Sequence, residues 1–195
     1  GGVQEEISQG AGRIAGYLGL NNLIMFYDSN DIQLSTETNA VTTEDTEMKY
    51  KAWGWNVMTI NGNDANQIRK ALANAQNEKD RPTLIIGKTI MGKGSVSDTD
   101  ECYERKCATH GMPLTDAGAS FAKTVKNLGG DAENPFQIFS EVQEAYEKRN
   151  EELVKAAAQK KAEQAKWEAE NPELAAKLKA FFSNKTVNVD YSKIA

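Results

Sequence analysis

Residues 3–91 alternate between stretches with apolar residues at helical spacing and short apolar runs, and this alternation restricts the fold more than any other feature. The first run, Asn22–Tyr27 (Asn-Leu-Ile-Met-Phe-Tyr), shows no in–out alternation, the pattern of a strand covered on both faces. Trp55–Ile60 and the segment Pro82–Ile90 read as two more strands, Pro82 being tolerated at a strand's first residue. Strands separated by helices join in parallel through crossovers. The sequence therefore predicts an α/β fold, a parallel sheet with flanking helices.

The intervening helices carry their own signals. Val3–Leu18 sets Ile7, Ala11, Ile14 and Leu18 at helical spacing and stops at Gly19. Gly10, Gly12 and Gly16 weaken it by about 1 kcal/mol each relative to Ala, a cost borne where a helix backbone approaches a sheet or ligand closely. Thr43–Trp53 follows, with Thr42 or Thr43 as its cap and Gly54 as its end. Asp64 caps Ala65–Gln76, whose Ile68, Ala71, Leu72 and Ala75 form one apolar face.

Residues 92–114 form a long irregular loop, of a length that is usually functional or disordered. Beyond it the pattern predicts an amphipathic helix over Thr115–Leu128, a helical stretch from Pro135 to about residue 169, and a last helix opened by Pro172. Residues 139–170 read as a solvated helix packed by one narrow stripe, and residues 183–195 show no strong pattern. The expected division is a partial α/β domain over 1–114, then a helical part of that domain and the start of an interdomain linker over 115–195.

Composition excludes several classes. No apolar run approaches the roughly 20 residues of a membrane-spanning helix. With a formal net charge of −5 and no basic stripe, nucleic acid is not an expected partner. Cys102 and Cys107 are too few for a disulfide scaffold, and with one histidine they lack the ligands of a zinc site. No signal peptide is legible, so the cytoplasm is the expected location. The chain opens Gly1-Gly2-Val3 without an initiator Met, which reads as a cut within a longer protein or a tag remnant.

In a parallel α/β sheet, ligands bind beyond the carboxyl ends of the strands. Asp28–Ile32, Asn61–Asp64 and Gly92–Gly111 lie there by this reading. Gly1-Gly2, leading into a helix, offers backbone N–H groups to a phosphate. Asn30 and its neighbours offer hard oxygens suited to Mg²⁺ or Ca²⁺, or else an ordinary Asx turn. His110, the sole histidine, sits in the long loop with its backbone fixed by Gly111 and Pro113.

These segments, in this order, resemble the thiamine-diphosphate-binding domain of transketolases. The resemblance rests on Glu5-Glu6-Ile7-Ser8, Ala15-Gly16-Tyr17-Leu18-Gly19-Leu20, and Leu23-Ile24-Met25-Phe26-Tyr27-Asp28-Ser29-Asn30-Asp31-Ile32. It continues through Thr43-Glu44-Asp45, Gly54-Trp55-Asn56-Val57, Asn61-Gly62-Asn63-Asp64, Pro82-Thr83-Leu84-Ile85, and Lys88-Thr89-Ile90-Met91-Gly92-Lys93-Gly94-Ser95. His110-Gly111-Met112-Pro113-Leu114 completes the well-matched part, with a looser match in the helical remainder.

The family's cofactor motif is Gly-Asp-Gly followed some 25 to 30 residues later by Asn. By resemblance, Gly1 is its second glycine and Asn30 its closing Asn. The resemblance implies that Asn30 and the carbonyl of Ile32 ligate Mg²⁺ (or Ca²⁺) with the diphosphate of thiamine diphosphate, which Gly1 N–H approaches. It implies His110 as a catalytic group near diphosphate and substrate, Met91 against the thiazolium ring, and Glu5 at the interface of a homodimer.

The implied activity is transfer of a two-carbon ketol unit between sugar phosphates, with this chain inactive alone. Alternatives are the amino-terminal subunit of a split transketolase, a 2-oxoacid dehydrogenase component or a deoxyxylulose-phosphate synthase. The chain departs from the family pattern at Ser29, at Gln33–Thr38, at Lys93 where an aromatic is common, and in the lengthened loop from Val96 to Thr109.

Overall fold

In the computed structural model, residues 1–183 and 191–193 are described, so most of the tail after Ser183 lies outside the described residues. Contacts divide the chain into two units, Gly1–Pro135 and Phe136–Ala195.

The first unit holds a three-stranded parallel sheet of β1 (Ile24–Ser29), β2 (Asn56–Asn61) and β3 (Thr83–Lys88), in the order β1-β3-β2. Tyr27, Ile86 and Thr59 share one row across it, and Ser29, Lys88 and Asn61 share the row at its carboxyl end. β3 is central, and every residue from Thr83 to Gly87 is buried, as an unbroken apolar run demands. One face of the sheet meets α1 (Glu6–Tyr17) and α2 (Thr46–Ala52) in a core of Ala15, Tyr50, Trp55, Leu84 and Ile86. The other face meets α3 (Ala65–Asn77) through Ala71, Ala75 and Ile85, with Ile24, Met58 and Ile60 packed alongside.

The sequence-predicted alternation is present, and several boundaries move. The first strand runs Ile24–Ser29 rather than Asn22–Tyr27: Leu23 N–H donates to the Leu20 carbonyl in a turn, while polar Asp28 and Ser29 pair with Gly87 and Lys88. The cap of α2 is Asp45, whose carboxylate accepts Met48 N–H, not Thr42 or Thr43. Asp64 caps α3 as expected, accepting the N–H groups of Asn66 and Gln67, which hold its carboxyl below the ordinary carboxylate range.

The largest correction concerns α1. The expected stripe Ile7, Ala11, Ile14 and Leu18 faces outward, with Ile7 83% and Ile14 60% exposed. The packed face is Gly12 and Ala15, with half-buried Gly16 beside them. The indole of Trp55 donates to the Gly12 carbonyl at 2.8 Å, and a methyl on Gly16 would run into the Trp53 carbonyl oxygen. Two tryptophans therefore lie directly on the helix backbone, which only small residues permit.

After the loop, the helix read over Thr115–Leu128 is α4 (Phe121–Asn127), because Ser120 caps it and Pro113–Ala119 forms turns with Gly118 at φ 90°. In the second unit, the stretch expected from Pro135 begins at α5 (Ser140–Glu170), and Pro172 opens α6 (Pro172–Phe182) at its first turn. α5 has no buried residue. Lys179 of α6 pairs with Glu168 of α5 at 2.8 Å.

Candidate functional site

β1 ends in a polar turn that folds back on itself. Asn30 Oδ1 accepts Ile32 N–H at 3.0 Å, an Asx turn. Asp31 adopts φ 64°, a left-handed conformation that Asn and Asp reach more readily than most residues. Ile32 and Glu37 then form an antiparallel bridge. Its flanking bonds run from Gln33 N–H to the Thr36 carbonyl and from Thr38 N–H to the Asp31 carbonyl, and neither engages the Ile32 carbonyl.

Lys88, the last residue of the central strand, fastens this turn. Its ammonium donates to Ser29 Oγ at 3.0 Å and to Asp31 Oδ1 at 2.9 Å, clasping the residues on either side of Asn30. Both partners are half exposed, so the ion pair positions the turn more than it stabilises the fold.

Three hollows surround Asp31. Asn30, Asp31, Ile32, Glu37, Asn39 and Arg105 line one of about 300 Å³. A second, of about 230 Å³, lies over the sheet face between Val3 and Gln4 on one side and Glu44 and Glu47 on the other, with Ser29, Asp31 and Lys88 at its edge. Glu47 accepts bonds from Lys51 and Thr59, and these hold its carboxyl below the ordinary range. The third hollow lies at the ends of β2 and β3.

The predicted residues are distributed as follows. Asn30 and Ile32 share a hollow. Met91 lies half-buried just past β3, and its carbonyl accepts the N–H of Arg105, a residue of that same hollow. His110 follows a short 3₁₀ turn, and the next residue, Gly111, approaches Leu34 of the turn after β1. His110 Nδ1 is buried without a hydrogen-bond partner among the described residues. A buried ring nitrogen of this kind calls for a hydrogen-bond partner, such as an ordered water or a bound molecule.

Gly1 lies elsewhere, lining a hollow with Asp28 and Tyr27, whereas the following Val3 and Gln4 share a hollow with Ser29 and Asp31. Glu5 is the exposed residue that precedes α1.

The oxygens at Asn30 and Ile32 suit a hard cation. Among the described residues no three His, Cys, Asp or Glu side chains converge as a metal site. A cation here would draw most of its shell from ligand and water oxygens, as Mg²⁺ does when it bridges protein and phosphate. Lys88, Asp31 and Arg105 were not singled out from sequence. Lys88 could have been, since it closes the central strand at the edge where ligands gather.

The family model for "Transketolase, thiamine diphosphate binding domain" matches residues 1–186. The chain belongs to the transketolase family. A transketolase of Streptococcus pyogenes is 35% identical over 198 residues, covering 97% of this chain and 25% of the relative. Transketolase 2 of Escherichia coli is 36% identical over 150 residues, covering 76% of this chain and 21% of the relative.

Among solved structures, a transketolase of Pichia stipitis in complex with sedoheptulose 7-phosphate superposes with a TM-score of 0.79 at 29% identity, over 91% of this chain and 25% of that one. The transketolase of Campylobacter jejuni gives 0.69 at 31% identity, over 99% of this chain and 28% of that one. The chain thus spans about a quarter of the length of the transketolases it matches. It is a partial amino-terminal domain with the parallel sheet and flanking helices of that family.

Proposed function

We propose that this chain is the part of a transketolase that grips the diphosphate end of thiamine diphosphate through a divalent cation, Mg²⁺ or Ca²⁺. The whole protein then transfers two-carbon ketol units between sugar phosphates. The carrying observation is that Asn30 and Ile32 line one hollow, with the Asn30 amide oriented by Ile32 N–H and the Ile32 carbonyl outside the neighbouring backbone bonds. When bound, thiamine diphosphate supplies the carbanion-stabilising chemistry. The chain's own share is orientation: Asn30 and Ile32 present oxygens to the cation, and Lys88 holds the turn that carries them. His110, whose Nδ1 is buried without a hydrogen-bond partner among the described residues, would hold a hydrogen bond to the bound molecules, with Met91 as apolar support. Gly1, which lines a separate hollow, is proposed only by resemblance as a donor to the diphosphate, and Glu5 as a contact of the homodimer. Sugar phosphates as substrates fit the Pichia stipitis relatives, solved with sedoheptulose 7-phosphate and xylulose 5-phosphate.

By itself the 195-residue chain will turn over no xylulose 5-phosphate. Calorimetric titration with Mg²⁺ and thiamine diphosphate tests the site. Binding should require the metal and weaken about tenfold or more in Asn30→Ala. Equal affinity in that variant would overturn the reading.

A further inference from the structure

The third hollow, about 680 Å³ at the carboxyl ends of β2 and β3, reverses the sign of a chain whose net charge is −5. Lys88, Lys93 and Arg105 reach it, against the single carboxylate of Asp31. The head groups of Lys93 and Arg105 have no ion pair or hydrogen bond among the described residues. Lys88 spends two of its three protons on Ser29 and Asp31.

The neutral side chains add donors of the same kind. Asn61 Oδ1 accepts Asn63 N–H at 3.0 Å, and Asn63 Oδ1 accepts Ile90 N–H at 3.0 Å. Both oxygens are engaged by backbone, and neither NH₂ group has a hydrogen-bond acceptor among the described residues. Gln67 is already committed, its oxygen to Asn61 N–H and its nitrogen to Asp64. The hollow is therefore rich in unspent donors and poor in acceptors.

Its walls are also held in place. Asn61 and Lys88 end paired strands, and Arg105, at φ 61°, is tied through its backbone N–H to the Met91 carbonyl at 2.9 Å.

We infer that this hollow, formed by Lys88, Lys93 and Arg105 with the amides of Asn61 and Asn63, binds a phosphate dianion, free or as a phosphomonoester. Two cations without partners among the described residues and two uncommitted NH₂ groups match an oxyanion that accepts several charge-assisted hydrogen bonds at once. Asp31 and Arg105 border both this hollow and that of Asn30 and Ile32, whereas Asn61, Asn63, Lys88 and Lys93 line this one and not the other, so Lys93 reports on the anion site separately from the function proposed above.

Titration of the 195-residue chain with inorganic phosphate, followed by ³¹P NMR, tests it, with ribose 5-phosphate as the second arm. One saturable site is expected for phosphate. Equal or tighter binding of ribose 5-phosphate would identify a phosphomonoester as the occupant, and weaker binding the free ion. Lys93→Met and Arg105→Met, both at exposed positions, should each weaken binding about tenfold. Lys106→Met removes the same charge from a residue paired with Glu101 and stacked on Tyr103, and should leave affinity unchanged. Asn30→Ala should also leave it unchanged.

Absence of saturable binding, or equal weakening by Lys93→Met and Lys106→Met, would overturn the inference. So would loss of binding in Asn30→Ala alone, which would assign the anion to the cofactor hollow. Thermal melting of each variant separates lost binding from lost folding.

Discussion

Helices α1 and α5 are both continuous, and they are helical for opposite reasons. α1 has twelve residues, three of them glycine, and each glycine costs about 1 kcal/mol relative to alanine. What holds it is nonlocal: Trp53 and Trp55 lie on its bare backbone, and the indole of Trp55 donates to Gly12. α5 has 31 residues with no glycine or proline and no buried residue. It is sustained locally by strong helix formers and by pairs such as Gln143–Glu147 and Gln159–Glu163. The packed helix is specified by its neighbours, the solvated one by its own composition.

The sharpest way to break this contrast is Gly16→Ala. In an exposed helix the change would stabilise, but here the added methyl meets the Trp53 carbonyl. Denaturant unfolding should show a loss of about 3 kcal/mol. Unchanged stability would mean that α1 does not rest on that backbone.

The mirror experiment is Ala157→Gly in the middle of α5. A loss of about 1 kcal/mol in local helix stability is expected from far-UV circular dichroism. Amide exchange in β3 should not change, and a change there would show that α5 does not stand on its own sequence.

The smallest effect comes from acid. Lys179 and then Gln164 donate to Glu168, lowering its carboxyl from the ordinary value of 4.5. A depressed pKa stabilises the folded form above the unfolded value, and that contribution fades as pH falls through the folded one. A pH titration of the α5–α6 pair should therefore stay flat down to about pH 4.5 and weaken only below it. Glu168→Gln should abolish that acid-dependent step.

The contrast also explains what was legible. Composition and propensity announce α5, as Pro172 announces α6 and Asp64 announces α3, because each signal is local. The unbroken run Thr83–Gly87 announced a covered strand for the same reason. The orientation of α1 was not legible. Ile7, Ala11, Ile14 and Leu18 make the stronger apolar stripe, while Gly12, Ala15 and Gly16 carry almost no hydrophobic signal, and the choice fell to tryptophans some forty residues away.

The candidate site divides in the same way. Asn30 and Ile32 follow directly from a strand end. Arg105 reaches its hollow through a loop that turns at left-handed Gly92, Gly94 and Asp100, and side-chain chemistry alone did not trace that path. Lys93, a departure from the family pattern, lines the third hollow.

The strand order has a consequence for biosynthesis. Among the described strands β1 and β2 are not neighbours; each pairs with β3, the last of the three to leave the ribosome. Until Thr83 is made, β1 and β2 lack the strand that joins them to each other. The joining of these three strands is thus deferred to a single late event, and until then the edges of β1 and β2 that β3 will cover are open to capture by chaperones or by one another.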